Sequence, residues 1–425
     1  MTTALDSSLK RIRGHRLPDL ELGSEAIHPA YHGLSILNMP SSVCRWLSVP
    51  ELPHPPIDII EFDELAGGAR QVVVVLMDAV GLQFLEQWLD GPLKPLVSRG
   101  TLGALTSVVP STTSAALTTL WTGRSPAEHG VLGYEVFLKE YGLIANMITH
   151  APASYEGEVG SLQHAGFDPE RFLPVPTIGP HLSAAGIESH AFLHKKIAGS
   201  GLSKMHYPEV ESHAFEELTD LWTSMRHLLE ADTDSRRYVW AYFGDVDYLA
   251  HQYGPNDDRV SARFEQFIQS LQSEFVETLD SDAAKDTVLI LMADHGQVTT
   301  RKDPHFELRN HPDLARRLHM LPSGENRLAY LYPKPGQMDA VEEYITRTWP
   351  GMFRVMPSNH ALEAGLFGPG QPAKTARSRI GDRLAIGQRD GYLWWAAKDN
   401  PLLGRHGSVT PDEMLVPILM IRLDA

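Results

Sequence analysis

Four short stretches of this sequence place carboxylates and imidazoles where loops leave apolar runs. Asp78 ends QVVVVLMD, Asp247 and His251 stand four apart in YVWAYFGDVDYLAHQYGP, Asp294 and His295 leave TVLILMADHG, and His406 lies among glycines in LLGRHGS. Taken singly, each has an ordinary structural explanation: a helix cap, a surface hydrogen bond, a chance neighbour. Together they supply three carboxylates and three imidazoles at strand-to-loop transitions, the ligand set that two zinc ions require. Cys44 is the only cysteine, so neither a thiolate cluster nor an intrachain disulfide can form.

A hydroxyl nucleophile is available near this set. In VVPSTTSAALTTLWTG, Pro110 stops a short strand and Ser111, Thr112 and Thr113 precede a helical pattern that Gly123 ends. Thr113 therefore sits at or near a helix N-terminus, where unpaired N–H groups and the helix dipole favour a phosphate. The same hydroxyls could simply cap the helix.

These residues need elements to position them. Val72 to Met77 are apolar without alternation and rich in β-branched side chains, which suits a strand covered on both faces. From Gln71 the pattern predicts a strand at 71–77, a helix at about 80–90, a strand near 104–109 and a helix over 113–121. Further strands are expected at 187–193, 238–243 and 287–292, with helices over 209–230 and 258–279. Such alternation implies right-handed βαβ units: a three-layer α/β sandwich with a mostly parallel central sheet and helices on both faces. Ligands of open α/β sheets bind outside the carboxyl ends of the strands, which is where Asp78 falls.

The rhythm breaks in the Arg-, Pro- and Gly-rich stretch 299–384, read as a small inserted cap containing a strand at 327–332 and a helix at 338–349. Residues 1–69 are expected to be a lead-in packed on the core, and 70–298 with 385–425 to be the core itself. Strands are expected at 384–387, 392–397 and 415–421 within that last part.

Composition bounds the partners. Acidic residues outnumber basic ones by 16, which argues against nucleic-acid polymers and anionic membranes but leaves room for a small phosphorylated substrate. The N-terminus lacks the features of a secretory signal and no apolar run approaches a membrane span, so the expected compartment is the cytoplasm.

The ordered set of Asp78, PSTTSAALTTLWTG, Y-x4-D-x3-H-x2-G-P at 242–255, ADHG at 293–296 and the His-Gly pair at 406–407 resembles the alkaline phosphatase superfamily, and within it the type I phosphodiesterase/nucleotide pyrophosphatase branch. The resemblance implies one zinc on Asp247, His251 and His406, and another on Asp78, Asp294 and His295 that also touches Thr113. It implies that Thr113, ten residues before Gly123, attacks phosphorus and forms a phosphothreonine. A dication stabilises the alkoxide this chemistry needs. Some positions depart from the family pattern. Where an asparagine usually offers an extra oxygen ligand, Gly133 and Tyr134 stand, with Tyr134 or Asn146 as candidate substitutes. Ser114 replaces the residue that often stacks on a nucleobase, and Asp245-Val246 and Ala250 replace Glu-Pro and Gly beside the metal ligands. The expected activity is cleavage of a phosphodiester or pyrophosphate. Alternatives are a phosphomonoesterase, a phosphonate hydrolase or a phosphomutase of the same superfamily, or a non-catalytic metal-binding protein. Arg124, His129, Arg301, Lys302, Arg316 and Arg317 are candidate contacts for the anionic part of a substrate.

Overall fold

The computed structural model describes residues 2–153, 158–231 and 235–424. Its main sheet has seven strands: β1 (Gln71–Met77), β2 (Gly100–Thr106), β3 (Glu188–His194), β4 (Glu211–Phe215), β5 (Arg237–Phe243), β6 (Thr287–Met292) and β7 (Leu415–Arg422). They lie side by side as β2-β7-β6-β1-β5-β3-β4. The pairs β6·β1, β1·β5, β5·β3 and β3·β4 are parallel, and β7 runs antiparallel to both its neighbours.

The residue types account for this arrangement. Every residue of β1 and β6 is buried, as a strand covered on both faces requires. On β5, alternate side chains meet different helical layers. Tyr238 and Trp240 meet Trp121 of helix Thr113–Thr122 at 5.8 and 5.5 Å between rings, whereas Phe243 stacks at 4.1 Å on Phe267 of helix Asp258–Ser270. The N-terminal lead-in covers the β2 edge, where Ala104 N–H donates to Ser8 Oγ and Thr106 N–H to the Leu34 carbonyl. Polar partners thus occupy an edge that would otherwise be open to pairing.

Four sequence expectations are corrected. The first strand after Leu93 covers Gly100–Thr106 rather than 104–109, and the helix after Asp78 is short, Leu82–Glu86. The stretch expected to be a helix from 209 begins instead with the edge strand β4, and its helix is Leu218–Ala231. Residues 392–397 are not a strand: of these only Trp394 forms a bridge, to Glu307, and the aromatic side chains fill a small core with Phe306, Ile345 and Trp349.

A second sheet of seven antiparallel strands stands beside the carboxyl edge of the first. Its order is Phe353–Pro357, Arg383–Gly387, Leu328–Leu331, Ser323–Glu325, Glu135–Leu138, Leu143–Asn146 and Ala151–Pro152. Three of these strands come from upstream of residue 299. A two-stranded ribbon, Val298–Thr299 against Gly404–Arg405, ties the segment after β6 to the one carrying His406.

Candidate active site

Asp78, Asp247 and Asp294 follow the carboxyl ends of the adjacent strands β1, β5 and β6. Thr113 opens helix Thr113–Thr122 behind an extended Thr112, and Gly123 ends that helix in the left-handed region at φ 61°. Asp247 and His251 share a face of helix Asp245–Tyr253, as their spacing of four requires. His406 is brought in by the ribbon and by an antiparallel bridge between Ser111 and Gly407. Close backbone approaches set these loops. A methyl group on Gly296 would lie 2.0 Å from the Asp412 carbonyl oxygen, and one on Gly404 2.3 Å from that of Ala250.

The six side chains form two adjoining clusters. In one, His251 Nε2 lies 3.4 Å from Asp247 Oδ1 and 3.3 Å from His406 Nε2, and His406 Nε2 lies 3.8 Å from Asp247 Oδ1. In the other, His295 Nε2 lies 3.4 Å from both Asp78 Oδ1 and Asp294 Oδ2. Thr113 Oγ1 reaches to 3.1 Å from His295 Nε2 and 3.4 Å from Asp78 Oδ2. The rings of His295 and His406 stack at 4.0 Å, which joins the clusters.

The hydrogen bonds fix what each imidazole presents. Nδ1 of His251 meets the Gly404 carbonyl at 2.9 Å, that of His406 the Ser111 carbonyl at 3.0 Å, and that of His295 the Gly296 carbonyl at 3.1 Å. A carbonyl only accepts, so all three Nδ1 atoms carry a proton, and any of these rings in its neutral form turns its Nε2 lone pair inward. Lone pairs facing each other across 3.3 Å need a cation between them, whether a shared proton or a metal. Asp78 Oδ1 and Asp294 Oδ2 are buried without a hydrogen-bond partner. Burial, then the neighbouring charges of Asp294 and Asp247, push the Asp78 carboxyl well above its ordinary range, and Asp294 is raised chiefly by burial. Burial and the two other imidazoles hold His406 well below its ordinary value. A tetrahedral ion about 2.0–2.1 Å from its ligands spaces them roughly 3.3–3.4 Å apart, which both clusters approach. The residues present therefore fit a pair of divalent cations.

Supporting contacts went unread in the sequence. Tyr242 donates its hydroxyl to Asp78 Oδ2, Gln297 its amide to Asp247 Oδ1, and Ala79 its N–H to Asp294 Oδ1 at 3.2 Å. Glu325, from the second sheet, accepts from Tyr134 N–H at 2.7 Å, and burial pushes its carboxyl up to about 8. Tyr242 and Gln297 adjoin sequence motifs; a lone glutamate in SGEN carries no comparable signal.

A cavity of about 560 Å³ opens beside the clusters, lined by Thr113, Tyr134, Asn146, Glu325, Trp395 and Lys398 among others. Trp395 donates Nε1–H to Glu135 Oε2 at 2.8 Å, and burial raises that carboxyl to about 7. The six basic residues named as candidate substrate contacts, for most of which surface charge is the simpler reading, are not among the cavity's lining residues. Arg124 pairs with Glu128, Arg316 with Asp313 and Arg317 with Gln337. His129 is buried against Thr119, and Arg301 and Lys302 are exposed. Lys398 and Arg405 are the cationic side chains among the lining residues.

A mostly parallel sheet whose carboxyl edge gathers three aspartates, three histidines and a helix-opening threonine is the arrangement of the alkaline phosphatase superfamily. Residues 72–408 match the type I phosphodiesterase / nucleotide pyrophosphatase family, and the chain belongs to it. It is accordingly a phosphoric ester hydrolase of a metal-dependent kind. Similar solved structures include murine ectonucleotide pyrophosphatase / phosphodiesterase 5, with 18% identity, TM-score 0.63, and coverage of 82% of this chain and 87% of that one. The human protein of the same name gives 17% and 0.62, with the same coverage. Phosphonoacetate hydrolase from Sinorhizobium meliloti 1021, in complex with phosphonoformate, gives 18% and 0.59, covering 83% of this chain and 90% of that one. At these identities the likeness is one of fold. No curated protein matches in sequence. Among the described residues no helix is long and apolar enough to cross a membrane.

Proposed function

We propose that this chain cleaves a phosphodiester or pyrophosphate bond in a small substrate, using Thr113 as nucleophile and two divalent ions, most simply zinc. Asp247, His251 and His406 would hold one ion, and Asp78, Asp294 and His295 the other. The observation that carries the reading is the common tethering of three Nδ1 protons to backbone carbonyls, which turns the Nε2 of His295 towards the unpartnered oxygens of Asp78 and Asp294 and those of His251 and His406 towards Asp247. Bound there, divalent ions supply positive charge that lowers the pKa of the threonine hydroxyl and offsets charge on the phosphoryl oxygens.

The chain's own groups do the rest. The helix beginning at Thr113 fixes the hydroxyl and aims its free N–H groups at the phosphoryl group. As the bond from Thr113 Oγ1 to phosphorus forms, the bond to the leaving oxygen breaks; water then takes the phosphoryl group and frees the threonine. Tyr242 holds Asp78 in place during both halves. Tyr134 and Asn146 both line the cavity and are suited to contact a phosphoryl oxygen in the role the missing asparagine would play. The segment 299–384, completed by the strands of 135–152, acts as the cap over a core formed by 70–298 and 385–425. The cytoplasm remains the proposed compartment, in keeping with a single buried thiol, Cys44.

The test is a panel of aryl phosphate monoesters, bis-aryl diesters and phosphonates, assayed on stripped and zinc-reloaded protein and on Thr113→Ala. Zinc-dependent diester turnover that Thr113→Ala abolishes is expected. Turnover that survives the substitution removes Thr113 from its role. Faster monoester or phosphonate cleavage replaces the diester reading with one of those activities.

A further inference from the structure

The two catalytic clusters provide a yardstick for a third group of donors at the far edge of the main sheet. His190 on β3 and Glu211 and His213 on β4 converge there. His190 Nδ1 lies 3.1 Å from His213 Nε2 and 3.6 Å from Glu211 Oε2, and His213 Nε2 lies 3.9 Å from Glu211 Oε1. The spacings span the edge of a tetrahedron around a small divalent ion, about 3.3–3.4 Å, as those of the catalytic clusters do. We propose that these three residues form a separate transition-metal site, most simply for zinc, that clamps the edge strand β4 to β3.

The register explains how the donors meet. His190 pairs with Glu211 and Phe192 with His213 in a parallel ladder, so all four side chains share one face. Phe192 stacks on His213 at 4.5 Å with 16° between planes, which fixes the ring. His190 is 6% exposed, and its Nε2 is buried without a hydrogen-bond partner. When Nδ1 ligates an ion, Nε2 carries the proton. The nearest carboxylate oxygen to it is Glu188 Oε2 at 4.0 Å, itself held by Arg237 at 2.9 Å. At 4.0 Å that carboxylate is a nearby charge behind the imidazole and not a hydrogen-bond partner of Nε2.

Two imidazoles and a carboxylate favour zinc over magnesium or calcium, and leave a fourth position to solvent on an exposed edge. The clamp has a structural use. β4 offers little apolar area, since of its five residues only Phe215 is buried. The cluster shares no residue with the catalytic ones. His190 and Glu211 lie towards the amino ends of their strands, whereas the catalytic groups follow carboxyl ends.

The test counts zinc. Stripped wild type, Glu211→Gln and His213→Phe are dialysed against micromolar zinc, gel-filtered, and analysed for zinc per chain. Each variant is expected to hold one ion fewer than wild type while its bis-aryl phosphate turnover is unchanged. The difference does not depend on how many ions the catalytic clusters hold, so failure here and failure of the catalytic reading are separable. Equal zinc in wild type and Glu211→Gln overturns the site. His213→Phe keeps a ring against Phe192; should it misfold by circular dichroism, the Glu211→Gln count decides.

Discussion

Arg327 and Glu413 offer a quantitative check on how the loop carrying His406 is held. Both side chains are wholly buried, with Arg327 Nε 2.7 Å from Glu413 Oε1 and Nη2 2.9 Å from Oε2. The guanidinium also donates to the Gly391 carbonyl at 2.7 Å, and the carboxylate accepts from Ser408 N–H at 3.0 Å and Thr410 Oγ1 at 2.6 Å. Every nitrogen and oxygen of the two charged groups has a hydrogen-bond partner, so the pair links the second sheet to the backbone two residues from His406. Replacing Arg327 by Met leaves a buried carboxylate with two neutral donors and no counter-charge, a loss of about 3–5 kcal/mol. In Arg327→Met/Glu413→Leu both charges go, and the remaining cost is the orphaned Ser408 N–H, Thr410 hydroxyl and Gly391 carbonyl at about 1–3 kcal/mol each. The double variant is therefore more stable than the sum of the single losses implies, by a coupling energy of roughly 1–3 kcal/mol. The assay is urea unfolding of stripped protein, so that metal linkage does not enter. Arg327→Met within 1 kcal/mol of wild type, or single losses that simply add, would refute the reasoning.

Tyr242→Phe removes the hydroxyl that holds Asp78 and should lower zinc affinity or turnover by roughly 10- to 100-fold without unfolding the chain, read by zinc titration and diester kinetics. Gly404→Ala drives a methyl into the Ala250 carbonyl 2.3 Å away and should shift the ribbon that delivers His406, seen as weakened zinc binding at near-normal helix content. Acid should destabilise the chain through buried histidines. Burial lowers His206 to about 3 and His150 to about 4, below the unfolded value of about 6.5. Stability from these groups is therefore complete above pH 6.5 and falls as the unfolded chain takes up protons below it, by about 1.4 kcal/mol per pH unit for each. His206→Gln should flatten the urea midpoint between pH 6.5 and 4 by that amount; an unchanged slope contradicts it.

The candidate site and the sheet edge that carries it were legible because their signals are local and redundant. The unbroken run Val72–Met77 announces a strand buried on both faces, and the aspartates after β1, β5 and β6 mark its working edge. The spacing of Asp247 and His251 needs only one helical turn. What failed had no such signal. Strand β4 lies at an edge with most side chains exposed, so no alternation distinguished it from the helix that follows. The aromatic run Tyr392–Trp395 reads as a strand, yet its rings are spent filling the small second core, not pairing. Glu325 reaches the site through the pairing of Gly324 with Glu135, which no pattern within either segment encodes.

The position of β7 between β2 and β6 also constrains how the molecule is made. During synthesis, residues 71–292 leave the ribosome long before 415–422, so β2 and β6 have no common neighbour until the final stretch emerges. Until then β2 is a lone strand and β6 is the bare edge of a five-stranded sheet. On the proposed ligand set, a chain that stops short of His406 has an incomplete site, and His406 and the strand that joins β2 to β6 are made almost together.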